Sequence, residues 1–76
     1  MDLNNKAITM KNGKEYLVIE QVNFEGNTYV YLVNEDDYKD AMFRKVVPGE
    51  NIELEEIESD LFEEEIYPLF AEKLAE

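Results

Sequence analysis

Carboxylates are the only side chains in this chain numerous enough to suggest chemistry. Glu50, Glu53, Glu55, Glu56, Glu58, Asp60, Glu63, Glu64 and Glu65 follow one another almost unrelieved, and no Lys or Arg stands between Lys45 and Lys73. Regularly spaced carboxylates can imitate a phosphate backbone, because nucleic-acid-binding proteins capture anions with Arg and Lys. Such a ridge would release counterions on binding and hold its partner tightly at low salt. A second reading is a solvated face that only keeps the chain soluble. Part of the run also has a structural purpose: Asp60 and Glu63 suit the positive end of a helix dipole. Glu53 and Glu55 suit the wet side of a strand.

A second acidic group, Asn34, Asp36, Tyr38 and Asp40, invites comparison with a calcium loop. An EF-hand needs glycine at its sixth position and glutamate at its twelfth. Counted from Asn34, those places hold Lys39 and Lys45, so a cation would meet positive charge. No metal site is expected: Glu35, Asp36 and Asp37 read as a solvated acidic loop, with weak divalent-ion binding there as a remote alternative. Acid–base catalysis by paired carboxylates needs a desolvated site that drives their pKa values apart. The chain offers no histidine and no cysteine, its three glycines fall in turns, and its one serine, Ser59, reads as a helix cap. Neither an enzyme nor a cofactor is expected.

The overall balance is strongly acidic, with 19 acidic and 7 basic residues and a formal net charge of −12. That charge repels nucleic acid and anionic membranes and attracts cationic surfaces. The expected partner is therefore another protein with a basic surface, with no direct nucleic-acid or membrane binding. Self-repulsion also predicts that added salt stabilises the fold. The 76 residues suit a single domain, and the apolar fraction of 45% is ordinary for a globular chain. No apolar run reaches the roughly 18 residues that span a bilayer. The opening MDLNNKAITM lacks the apolar core of a signal peptide, which makes the cytoplasm the expected compartment.

The elements that must position these residues centre on EYLVIEQVNFEGNTYVYLVN, from Glu15 to Asn34. Two runs rich in Val, Ile and Tyr flank Glu25-Gly26-Asn27, which predicts a β-hairpin. Asn12-Gly13 predicts a type I′ turn that sets Met10 opposite Glu15 and Ile8 opposite Leu17. Alternation fails around Glu20-Gln21, and a bulge there would put Leu17 and Ile19 on the same side as Val22 and Phe24. Without it, Tyr16, Val18, Val22 and Phe24 share one face and Glu20 is buried. Thr28–Val33 is apolar on both sides and reads as a central strand. Asn34–Asp40 reads as a polar loop, Ala41–Val47 as a strand, Pro48-Gly49-Glu50-Asn51 as a turn, and Ile52–Ile57 as a fifth strand.

After Glu58 the period becomes helical. Asp60 and Glu63 form a potential capping box, with Ser59 as a rival cap. Phe62, Ile66, Leu69, Phe70, Lys73 and Leu74 mark a stripe with Leu61 at its edge. Pro68 predicts a kink, or two short helices, Asp60–Ile66 and Pro68–Ala75. The expected fold is α+β: a small antiparallel meander of about five strands over residues 7–57. A helical segment at 60–75, kinked or broken at Pro68, packs on one face. Residues 1–6 are expected to fray.

The pattern ITM-x-NGKEYLVIEQVNFEGNTYVYLVNEDD, then MFRKVV, a turn, IELEEIES and a helix ending near PLF, resembles small acidic proteins of Gram-positive bacteria and their phages. Those belong to domain-of-unknown-function families, and the resemblance runs from about Ile8 to Phe70. It implies an intracellular accessory protein and carries over no functional residues; a phage setting would favour an inhibitor of a host enzyme. The expected function is a non-enzymatic protein-interaction module. Its candidate surface is Glu50, Glu53, Glu55, Glu56, Glu58, Asp60, Glu63, Glu64 and Tyr67, with Tyr16, Tyr31 and Tyr38 as further candidate anchors. The alternative is a DNA mimic that inhibits a nucleic-acid-binding enzyme such as a defence nuclease.

Overall fold

The computed structural model describes residues 3–49 and 52–75. Five strands, β1 (Ala7–Thr9), β2 (Glu15–Phe24), β3 (Asn27–Asn34), β4 (Asp37–Val47) and β5 (Glu53–Glu55), form one antiparallel sheet in chain order. A helical segment follows from Ser59 to Leu74. The fold is therefore α+β, a curled meander closed by a C-terminal helix. The central hairpin closes through a two-residue turn, Glu25 at φ 50° and Gly26 at φ 82°, with Phe24 paired to Asn27. Two successive positive φ values define type I′, whose twist matches that of the strands it joins.

The first turn differs from expectation by one residue. Ile8 faces Tyr16 and Thr9 faces Glu15, in place of Ile8 opposite Leu17 and Met10 opposite Glu15. Gly13 N–H donates to Met10 O at 2.9 Å, and Gly13 has φ 84° while Asn12 does not have a positive φ. This is a type I turn followed by a left-handed glycine, a three-residue loop. Asn12 Oδ1 accepts from Lys14 N–H at 2.9 Å, which keeps Asn12 out of the left-handed geometry a type I′ turn requires.

The bulge in β2 exists, at Ile19, where pairing passes from Val18↔Leu32 to Glu20↔Tyr31. It does place Leu17 on the side of Val22 and Phe24, but Ile19, expected there too, is the unpaired residue of the bulge and is exposed. It also sends Tyr16 and Val18 to the other face, where both are buried. One strand thus feeds two cores. The inner face gathers Leu3, Tyr16, Val18, Val30, Leu32 and Val46, with Ile8, Met10, Met42 and Leu54 against them. The outer face gathers Val22 and Tyr29 under Ile66 and Phe70, with Phe24, Tyr31, Phe43, Ile57, Leu61, Phe62 and Leu69 around them. β3, the central strand, serves both.

Two further expectations about the sheet and its flanks need correction. Residues from Leu3 onward are not frayed: Leu3 is buried, Lys6 N–H reaches Leu3 O at 3.1 Å, and Asn5, at φ 66°, supplies the left-handed step of that turn. An Asn tolerates this geometry better than most side chains. Met1 and Asp2 lie outside the described residues. The polar stretch before Ala41 is mostly strand, since β4 begins at Asp37 and only Glu35-Asp36 turn the chain. Asn34 Oδ1 accepts from Asp36 N–H at 2.8 Å, an Asx turn that tightens this corner. Of the turn Pro48-Gly49-Glu50-Asn51, the last two residues lie outside the described residues.

The helix runs without a gap through Pro68. Residues Ser59–Leu61 (α1) lead into a π-helical turn at Phe62–Ile66, and α2 covers Tyr67–Leu74. Tyr67 N–H bonds to Phe62 O, five residues back, and Tyr67 itself is helical at φ −56° and ψ −43°. The wider turn opens the backbone where the proline ring would meet the Glu64 carbonyl, so no break is needed. No capping box forms. The cap position is Glu58 and makes no side-chain bond. Asp60 is already inside the first turn, where its side chain no longer faces the free N–H groups a cap would satisfy.

Candidate functional site

β5 and the helix carry the acidic surface. Glu53 and Glu55 are exposed on the same side of β5, because Leu54 between them turns inward to Val46. Glu56 and Glu58 are exposed in the link to the helix, Asp60 in its first turn, and Glu63, Glu64 and Glu65 along the π turn. Glu50 lies outside the described residues. The sequence reading takes this surface as unrelieved, and register changes that. Lys45 pairs directly with Glu55 across β4 and β5, and Arg44 lines a hollow with Glu56 and Phe62. Opposite charges across a strand pair are mildly favourable, so the run has a basic residue beside it at Glu55, though the two form no ion pair.

Tyr67 is 52% exposed and stands at the end of an aromatic stack. Phe43 is its centre, 4.7 Å from Tyr31, 5.0 Å from Phe62 and from Phe70, and 6.3 Å from Tyr67, ring centre to ring centre. Tyr67 also meets Phe62 edge-on at 5.8 Å. Packing of this kind limits the rotamers Tyr67 can take, so its exposed part costs little further ordering on contact. Among the other tyrosines, Tyr38 is exposed and Tyr31 half-buried. Tyr16 is buried, which removes it from the candidate anchors: the bulge turns it into the inner core.

Tyr16 instead belongs to a polar cluster that sequence reasoning missed. Its hydroxyl donates to Asp40 Oδ2 at 2.5 Å, and Asn34 Nδ2 donates to the same oxygen at 3.2 Å. The hydrogen bond to Asp40, then burial, raises the Tyr16 pKa above its ordinary value. The bonds from Tyr16, then Asn34, lower that of Asp40. These shifts make Tyr16 a weaker acid and Asp40 a weaker base, which suits a lock better than proton transfer. Of the alternating Asn34, Asp36, Tyr38 and Asp40, the first and last are thus held in this cluster, while Asp36 and Tyr38 are exposed. Among the described residues, no three carboxylates gather into a group able to hold a metal.

No helix among the described residues is long and apolar enough to cross a membrane. Comparison with family models, with curated proteins and with solved structures yields no match.

Proposed function

We propose that this chain is a non-enzymatic protein-interaction module, a cytoplasmic regulator or accessory factor that binds a partner with a basic surface. The observation that carries the reading is Tyr67, half-exposed on a packed aromatic stack within the helix that also bears the exposed Asp60, Glu63 and Glu64. Interfaces favour rigid aromatic anchors, and surrounding charge steers encounter. The acidic side chains stand in solvent, whereas acid–base catalysis would need them desolvated. DNA mimicry asks for evenly spaced, uncompensated charge, and Lys45 opposite Glu55 counts against it. Origin in a phage or prophage fits the same role.

The test is capture of partners from a bacterial lysate with a salt-gradient elution, followed by affinity measurements on the partner captured. Reversing Glu53, Glu55 and Glu56 to Lys should abolish binding near 0.15 M salt, where charges beyond about 8 Å are screened. Reversing Glu35, Asp36 and Asp37 is the control of equal charge and should cost little. Equal losses that vanish together with salt would reduce the surface to a solubilising face. Basic DNA-binding partners eluting at high salt would favour the mimic.

A further inference from the structure

β1 and β5 stand at opposite ends of the strand order, yet both line one groove of about 400 Å³. A flat sheet of five strands would hold its edges about 19 Å apart at the usual strand spacing. The sheet has therefore curled toward its inner face without closing. The groove presents Ile8, Met10, Ile52 and Leu54, with Lys11 and Glu53 beside them. Ile8, Met10 and Leu54 also pack on the inner core. Ile52 remains 40% exposed.

Backbone groups face the same opening. Met10 N–H donates to Lys14 O at 2.8 Å, and bonded pairs alternate along an antiparallel ladder. Ile8↔Tyr16 is then the next bonded pair, and Ala7 and Thr9 turn their N–H and C=O groups away from β2. Among the described residues, neither β1 nor β5 has a second strand beside it. Unpaired edges over an apolar floor are the requirements for strand addition.

We propose that an extended segment of a partner protein adds as a strand between β1 and β5, with side chains that alternate apolar and basic. The proposal rests on the interaction-module reading and names the chemistry of its partner. Alternate residues of the added strand would point inward beside Ile8 and Leu54. The others would point outward, between Ala7 and Thr9 on one side and Glu53 and Glu55 on the other. Glu53 and Glu55 select Lys or Arg at those places. A second copy of this chain is the poorer occupant, because two molecules of net charge −12 repel.

The probe is a capped seven-residue peptide alternating Lys and Val, compared with a peptide of the same composition in which the four Lys precede the three Val. The readouts on the full chain are amide exchange at Ala7 and Thr9 and methyl shifts at Ile8 and Leu54. The alternating peptide should slow exchange at both amides, shift both methyls, and bind at least tenfold tighter than the blocked one. Thr9→Pro removes an outward donor on an edge strand, where proline is tolerated, and should abolish the preference. Glu53→Lys with Glu55→Lys should transfer it to a peptide alternating Glu and Val. That swap carries the test if Thr9→Pro fails to fold. Equal binding of both Lys peptides, with shifts confined to Glu63–Tyr67, would overturn strand addition and leave the acidic-surface reading standing. No binding by either, or groove signals that change only as the protein dimerises, would also overturn it.

Discussion

The two faces of the sheet are closed by different means. The outer face lies under a helix and is packed with rings, Phe43 at their centre against Tyr31, Phe62, Tyr67 and Phe70. The inner face is mostly aliphatic around the ring of Tyr16, closed by curling and by Leu3 of the short N-terminal strap that precedes β1. Both coverings fasten at the β2 bulge. Gln21 faces inward and its Oε1 accepts Leu3 N–H at 2.7 Å. Glu20 faces outward, 3.8 Å from Lys73 Nζ, which also donates to Gln21 O at 3.0 Å. One extra residue in one strand therefore lets ten residues serve two cores. It also accounts for two polar residues, Glu20 and Gln21, inside an apolar strand. The helix covers its face as a continuous element, whereas the inner face leaves a groove between the edges. That asymmetry locates the fold's stability on one side and its accommodation on the other.

The largest break in this comparison should come from Phe70→Ala. Phe70 is fully buried and joins the helix to the ring stack. Large-to-small changes at such sites cost about 3–5 kcal/mol. A chain of 76 residues has about 4–11 kcal/mol in all. Thermal denaturation should show a drop in Tm of more than about 12 °C, at roughly 4 °C or more per kcal/mol. A drop of only a degree or two would mean that the helix is not part of the core.

Leu3→Ala should cost less, about 2 kcal/mol, at the low end for a buried leucine. The strap is a short terminal segment, so its loss opens the inner face locally before it unfolds the sheet. The Val18 amide, which donates to Lys6 O at 2.9 Å, should exchange faster while the Val22 amide changes little. Equal acceleration at both would show one cooperative core in place of two.

How far the sequence discloses these faces depends on the range of the signal. The hairpin at Glu25-Gly26, the strand order and the helical stripe are local patterns and were legible. Leu3 is a single apolar residue in a polar stretch and has no period to reveal it. Tyr16 and Asp40 lie 24 positions apart, and only the register that the bulge sets brings them together. The exposure of the acidic run was readable from alternation at Glu53 and Glu55. Its basic neighbour Lys45 was not, since that pairing follows from where β5 meets β4. The π turn had a visible cause in Pro68, and its form followed from Ile66 and Phe70 both being held against the sheet.

A smaller effect should separate the polar lock from the aliphatic core beside it. The Asp40 pKa is lowered in the folded chain, so its contribution is present above about pH 3.9 and fades as pH falls through the folded value. The Tyr16 pKa is raised, so its contribution is present below about pH 10 and fades as pH climbs through the folded value. Tyr16→Phe keeps the ring, deletes the tyrosine's own titration and removes the larger of the two bonds that lower Asp40, leaving the one from Asn34. The gap in urea midpoint between the two proteins should be flat from about pH 5 to 9 and narrow at either end. A gap that is the same at every pH would assign the lock no electrostatic part.

The smallest expected effect concerns charge on the helix side. Lys73 is the basic residue of the last helical turn, and its pair with Glu20 is half-exposed, worth about 0–1 kcal/mol. Added salt weakens that attraction and also screens the repulsion among 19 acids. Repulsion should prevail, because a net charge of −12 acts over the whole surface while the pair is a single contact. Sodium chloride should therefore raise Tm by a few degrees. Lys73→Gln should lower Tm slightly at low salt and steepen its rise with salt, since one attraction is gone and one more negative charge is uncompensated. The lost bond to Gln21 O would persist at high salt as a small constant offset. A Tm that falls steadily with sodium chloride in the unmodified chain would mean that local pairs such as Lys73–Glu20 and Lys45 opposite Glu55 outweigh the net charge. In that event the acidic surface is organised by its few cations, and the added strand proposed between β1 and β5 would have to compete with them.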